Sequence, residues 1–501
     1  MINQFNLVDE PWIPVADHGK VSLKQLFAQD GYKALGGNPI QKIALFKLLF
    51  AISQAAATPK DELEWRAMST QQLAEKCIAY LDKWYDSFYL YGLYPFLQMP
   101  NIDKAKVVPF GAVLPQIATG NTTVLTQSQV DKPLDHADKA LLLLTLMGFA
   151  LGGKKTDNSV VLTPNYPGKS NDKGKPSTSK PGPSVGHMGF LHNIIVAETV
   201  LDTLWINLFT EAKLKEMNLF PNLLGVAPWE RMPEGEDCLV AQDLKQSYMG
   251  RLLPLARFCL LTENGLHYSE GIAHANYKEG QPDLTIAVNY AGKDPKALWT
   301  NPDKRPWRDV TSLLSFIVQS QAQGFQCWQI QNSVSRVRDH LEVFSIWSGG
   351  LSVSSNAGEQ YVSGSNDSVE SQFWLYSDEL GESWYLRLKQ EITDLDQLAK
   401  NLYGRVMAFY KEQTVDGANM AALASYLFWQ LCERDFQHLL NCCGVGEGER
   451  AERKKLRMKF ANYQFQAYDK YCPNETARQL DAWAKNKPNN FALQVLADGD
   501  S

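Results

Sequence analysis

No two of the eight cysteines (Cys77, Cys238, Cys259, Cys327, Cys432, Cys442, Cys443, Cys472) stand in a C-x-x-C arrangement. That absence argues against a structural zinc site and for a reducing compartment, so the expectation is a cytoplasmic protein with free thiols and no metal. The chain starts without a basic stretch followed by an apolar one, which removes a secretory signal from the reading. No apolar run reads as long enough to span a membrane. The most apolar, 141–153, is entered through Asp138 and Lys139 and reads as a buried helix. The eight histidines form no H-E-x-x-H or H-x-E…C-x-x-C pattern, and His187 and His192, five apart, would face different sides of a helix. Net positive charge is missing too. The 501 residues carry 49 basic against 55 acidic side chains, a net charge of −6, which excludes a uniformly basic coat for nucleic acid.

A nucleic-acid binder with this balance must gather positive charge locally, and two stretches do so. Residues 164–186 hold Lys169, Lys173, Lys175 and Lys180 against one acid, Asp172, and residues 450–459 read R-A-E-R-K-K-L-R-M-K. The first is also the clearest low-complexity segment, with proline and glycine too dense for regular structure.

At this length two domains are expected. Helical apolar spacing marks 40–57 (behind Pro39), 70–88 and 138–152. Between the last two, 118–133 is rich in Thr, Gln and Asn and reads as a long loop. Residues 251–261, 285–289 and 325–330 read as strands, and 347–358 as a strand running into a loop of small residues. From 381 onward everything reads as helix, in four runs: 384–413, 420–440, 450–471 and 476–496. Short breaks between long amphipathic helices favour an antiparallel bundle. The fold class is therefore α+β, a mixed α/β domain over 1–380 followed by a four-helix bundle over 381–501.

Catalytic patterns are thin. G-P-S-V-G at 182–186 matches the nucleophile elbow G-x-S-x-G, which needs a strand entering and a helix leaving so that the serine is exposed under strain. Here a lysine-rich, proline-rich stretch enters, and Ser184 reads as a chance match. G-F-A-L-G-G-K-K at 148–155 misses a phosphate-binding loop by one hydroxyl, since Lys155 stands where Ser or Thr would ligate magnesium. A helix end complemented by Lys154 and Lys155 explains it as well. No enzyme and no cofactor are expected. The competing readings are a cytoplasmic hydrolase using Ser184 and a scaffold that binds only proteins.

The most specific stretch contains no chemistry. N-L-V-D-E-P-W-I-P-V at 6–15 sets the strand formers Leu7, Val8, Ile13 and Val15 around Pro11 and Pro14. Each proline removes a ladder donor, which makes the segment an edge strand or a bent lead-in. A turn at Gly19-Lys20, V-S-L-K-Q-L-F at 21–27, Glu64-Trp65, and Trp84…Phe88 with Y-P-F-L-Q at 94–98 follow in order. Together these fragments resemble the large subunit of type I-E CRISPR Cascade complexes, the CasA family. The resemblance implies a mixed N-terminal domain, a C-terminal four-helix bundle and no catalytic centre. Its implied partners are the other Cascade subunits with their guide RNA, double-stranded target DNA bearing a protospacer-adjacent motif (PAM), and the helicase–nuclease that degrades the target. Some members hold zinc with clustered cysteines. This sequence departs from them.

Candidate contacts follow from residue type and resemblance together. Gly349, Gly350 and Gly358 would let backbone approach a groove, and Asn356 is an amide suited to reading base edges. The family's wedge loop follows a matching Gly-Gly, which puts Ser354, Ser355 and Asn356 where relatives have glutamine. Lys278, in A-N-Y-K-E-G, resembles the family's lysine contact to the PAM, and Gly168 and Lys169 are candidates for its glycine-rich loop. The bland alternatives are a surface turn and a solvated lysine. Val124, Leu125 and Thr126 resemble the loop that docks near the 5′ end of the guide RNA. Arg453, Lys454, Lys455 and Arg457 are expected to add duplex affinity through phosphates, without sequence preference.

Overall fold

In the computed structural model, which describes residues 4–115, 133–151, 186–318, 324–356, 359–362, 367–444 and 446–488, the opening motif folds as its prolines require. Ile13–Val15 pairs with Gly19–Val21 as an antiparallel ribbon, and on its other edge the Gly36 N–H donates to the Pro14 carbonyl at 2.8 Å, a contact that does not call on the missing Pro14 N–H. Leu7, Val8, Trp12 and Ile13 are fully buried, and the Trp12 indole N–H donates to the Leu7 carbonyl at 3.0 Å. Ser22 and Gln25 then form a reciprocal cap that starts the helix Leu23–Ala28.

Two compact units divide the chain. The first comprises Met1–Pro306 and Phe325–Gln372, the second Trp307–Gly324 and Phe373–Ser501. A single break after residue 380 does not describe this division, because a short internal segment, Trp307–Gly324, joins the second unit. Trp307 is the reason visible within that unit: its ring lies 4.4 Å from Phe436 and 5.8 Å from Trp429, and the Arg308 guanidinium sits 3.7 Å over Trp429.

The first unit is built around the helix Pro39–Ala57, capped by Asn38 with Pro39 in its first turn. Contrary to the sequence expectation, this helix is long and apolar enough to cross a membrane. Its most apolar window is 78% buried within the protein, as the core helix of a globular unit would be. Thr70–Lys83 and His136–Gly148 pack against it. One three-stranded sheet has the order Val107–Pro109, Gly265–Glu270, Arg257–Leu261. Another runs Ser368–Tyr376 (its first half in this unit), Val343–Leu351, His192–Val196. In the latter, Gly349 pairs with His192 and Ser345 with Val196, antiparallel.

Three local expectations change. Residues 325–330 do not form a strand: the helix Trp328–His340 begins there, because Ile330, Val334 and Val337 continue a helical spacing that the short window hid, and all three are buried. Residues 251–261 divide at Pro254 into the end of the helix Met249–Leu252 and the strand Arg257–Leu261. Residues 347–358 hold more strand than expected. Gly349 and Gly350 lie inside the strand Val343–Leu351, and Ser354–Asn356 pairs with Glu359–Tyr361 as a hairpin.

The second unit is a helical bundle formed by Glu382–Glu412, Ala418–Glu433, Glu447–Tyr471 and Ala477–Asn486, with the short helix Phe436–Asn441 inserted. The expected run 420–440 is broken at Asp435, which accepts hydrogen bonds from Tyr463 at 2.6 Å and Lys459 at 2.7 Å. Mixed helix and strand followed by a helical bundle is the α+β class that the sequence implied.

Candidate nucleic-acid interface

The glycine pair after Trp347 answers to packing, not to a groove. A Cβ on Gly350 would collide with the Thr300 hydroxyl and the Phe190 carbonyl, and one on Gly349 would lie 2.5 Å from the Trp347 ring. Gly350 is buried, which removes it from the expected DNA contacts. What the close approach achieves is placement: the strand leaves this corner at Leu351, Ser352 donates to the Asp367 carbonyl at 2.7 Å, and the hairpin begins at Ser354. Asn356 and Glu359 are its last described pair. Gly358 lies outside the described residues.

Lys278 reaches the same corner from another direction. It sits in a single 3-10 turn, Tyr277–Glu279, fixed by Asn276 and Glu279 in a reciprocal cap and closed by Gly280 at φ +82°. Its side chain is exposed and has no ion-pair partner among the described residues. Tyr277 beneath it is buried edge-on against Phe190, with ring centroids 5.7 Å apart. Phe190 also stacks on Trp299 at 4.5 Å. Val353, the residue before the hairpin, and Trp299 both close on Gly189, whose φ of +82° and lack of a side chain allow it. The Lys278 turn and the hairpin root, 75 residues apart in sequence (353 − 278), thus share one scaffold, Gly189–Phe190.

Below this corner lies a buried polar network that the sequence reading missed. Lys47 donates to Asp283 at 2.5 Å, with 1% and 5% of their side chains exposed. Asp283 also accepts from the Thr285 N–H and hydroxyl at 2.9 and 2.8 Å, and His187 Nδ1 stands 3.5 Å from its other oxygen. His192 bridges the Thr285 hydroxyl at 2.8 Å and the His187 carbonyl at 2.9 Å. Burial pulls the Lys47 ammonium down and works against the Asp283 carboxylate, yet Lys47 and the two histidines hold Asp283 well below its usual range. Burial, with Lys47 nearby, pushes His187 to about 4; burial pushes His192 to about 3, so both are neutral near pH 7. The two histidines are not on a helix at all. They flank a turn and a strand start, and their rings meet at 5.3 Å. One signal was available: Lys47 stands in the apolar stretch 43–52 of its helix, and a charge buried there calls for a paired carboxylate.

The basic run on Glu447–Tyr471 divides by helical face. Arg453 and Arg457 are 4% and 3% exposed and point into the bundle, where Arg457 grips Glu391 through Nε at 3.0 Å and Nη2 at 2.5 Å. Arg453 donates to the Cys442 and Gly444 carbonyls. These two arginines are internal ties, not phosphate contacts. Lys454 and Lys455 are exposed, the latter paired with Glu452 at 2.5 Å. Gly168, Lys169, Ser184, Val124, Leu125 and Thr126 lie outside the described residues. Among the described residues, no group of three His, Cys, Asp or Glu side chains is placed to hold a metal ion.

Comparison with known proteins decides the family. A family model described as CRISPR-associated protein Cse1 matches residues 6–467. The chain belongs to the Cse1 family. The CRISPR-associated protein CasA/Cse1 of Thermus thermophilus is 31% identical over 166 residues, 30% of this chain and 33% of that protein, so the aligned stretch spans about a third of the curated relative. The crystal structure of Thermobifida fusca Cse1 is 18% identical with a TM-score of 0.72, covering 98% of this chain and 99% of that one. A chain of a CRISPR RNA-guided surveillance complex matches at 14% identity and a TM-score of 0.65, covering 96% and 98%. These likenesses establish the Cse1 fold across nearly the whole chain.

Proposed function

We propose that this protein is the non-catalytic large subunit of a type I-E CRISPR RNA-guided surveillance complex, one that reads a PAM in double-stranded DNA and helps to start duplex opening. The observation that supports this reading best is the convergence of the Lys278 turn and the Ser354–Asn356 hairpin on the Gly189–Phe190 corner. A short motif can be read only if separate contacts are held in fixed register, and a shared buried scaffold supplies that. Guide-RNA pairing would carry target specificity, while the protein reads the motif; the strand exchange is nearly balanced, so a small protein contribution decides whether it begins. The further partners are the other subunits with their guide RNA, with Val124, Leu125 and Thr126 at its 5′ end, and a helicase–nuclease. The setting is the cytoplasm.

Within the assembled complex, Asn356→Ala and Lys278→Ala should each weaken binding to the preferred motif far more than to a scrambled one. Equal losses on both duplexes would reduce these residues to backbone positioning, and no loss on either would remove the reading from this surface.

A further inference from the structure

Trp299, at the shared corner, is left substantially open, at 47% exposure. Its indole is nonetheless fixed. Phe190 covers one face with the planes 23° apart, Tyr277 meets it edge-on at 6.2 Å, and the Gly189 backbone lies against the six-membered ring. The Phe190–Trp299 bridge and the Thr300 N–H to the Gly189 carbonyl (2.9 Å) lock the backbone on both sides of it. Among the described residues no ring or cation covers its second face, and its N–H has no hydrogen-bond partner. An indole held rigid on one side and open on the other loses little entropy when a planar ligand stacks on it. Lys278, next in the chain to the Tyr277 that meets this indole, supplies the positive charge that such a ligand's phosphates need, and Val353 at the hairpin root closes with Trp299 on Gly189.

We propose that Trp299 is an additional nucleic-acid contact, a platform that stacks on a nucleobase unpaired where the duplex opens next to the motif. This rests on the reading of the chain as a duplex-opening subunit. In an intact duplex no base face is available, so the contact forms only after the first pair separates and favours the opened state over the closed one.

The test uses the complete complex and a target duplex with iodouracil in place of thymine at the first positions beside the motif. Irradiation should crosslink the base to the peptide containing Trp299. Trp299→Phe, which retains a stackable ring, should bind nearly as wild type. Trp299→Leu, which retains apolar packing over Phe190 but no π-face, should lose about ten-fold in affinity for the motif-bearing duplex. Crosslinks confined to other residues, or Phe and Leu variants that behave alike, overturn the proposal. If that happens while Asn356→Ala and Lys278→Ala still abolish motif preference, only the Trp299 assignment fails; if those variants also leave preference intact, the underlying reading fails with it.

Discussion

Replacing Arg457 by Met tests the division of the basic helix into an inner and an outer face. Glu391 is 3% exposed and accepts from Arg457 at three N–H···O distances, 3.0, 3.0 and 2.5 Å. The nearest other cation, Arg453, stands 3.9 Å from it and already donates to two backbone carbonyls. Met retains most of the apolar stem, so little cavity is created; what remains is a buried carboxylate without its main partner. Removing one member of such a pair costs about 3–5 kcal/mol. For a unit of this size each kcal/mol moves the thermal midpoint by about 2–4 °C, so the bundle transition should fall by at least ~6 °C. Adding Glu391→Leu removes the stranded charge and should recover most of the loss, since apolar replacement of a buried pair is often neutral. The assay is thermal unfolding by circular dichroism alongside duplex binding against salt. An unchanged midpoint in Arg457→Met, together with a salt slope flattened by about one phosphate contact, would refute the internal assignment.

Lys454→Gln with Lys455→Gln should leave thermal stability unchanged and flatten the salt slope of duplex binding by no more than about two contacts, read by fluorescence anisotropy. Gly350→Ala should force Thr300 or the Phe190 carbonyl to move, costing about 1–3 kcal/mol in a urea titration. His187 and His192 are held below their ordinary value of 6.5, so unfolding takes up protons as pH falls. Stability is full above about pH 6.5 and is lost as pH drops toward 4, by roughly 3 kcal/mol from His187 alone at about 1.4 kcal/mol per pH unit. Urea midpoints measured at about pH 7.5 and pH 4.5 should therefore differ in that direction, and a rise at the lower pH would contradict it.

Periodic segments were the most legible part of the chain. Asn38-Pro39 and the unbroken apolar spacing behind it place the helix Pro39–Ala57, and the runs of the C-terminal bundle differ from expectation mainly at Asp435, where side-chain hydrogen bonds end one helix and a new one starts. The arginines were misjudged because charge in a sequence does not reveal which helical face it occupies until its partner, Glu391, is brought from 66 residues away. Glycine composition misled for a related reason. Gly349 and Gly350 read as loop residues, whereas the contacts that demand them come from Trp347, Thr300 and Phe190, two of the three distant in sequence. The Lys47–Asp283 network stayed hidden because its members come from three separate segments, although a lysine amid the apolar centre of a helix was a usable clue.

The central claim is that this chain reads a duplex motif from the corner formed by the hairpin and the Lys278 turn. Binding of the assembled complex to a library of duplexes, each with one guide-matched target flanked by randomised bases, tests it most directly. The account predicts that bound duplexes are enriched in a short motif on one side of the target. In the Asn356→Ala complex, that enrichment should collapse at one position by the equivalent of about 1–3 kcal/mol. Bound duplexes with no flanking preference, or a preference that survives unaltered in both Asn356→Ala and Lys278→Ala, would contradict it.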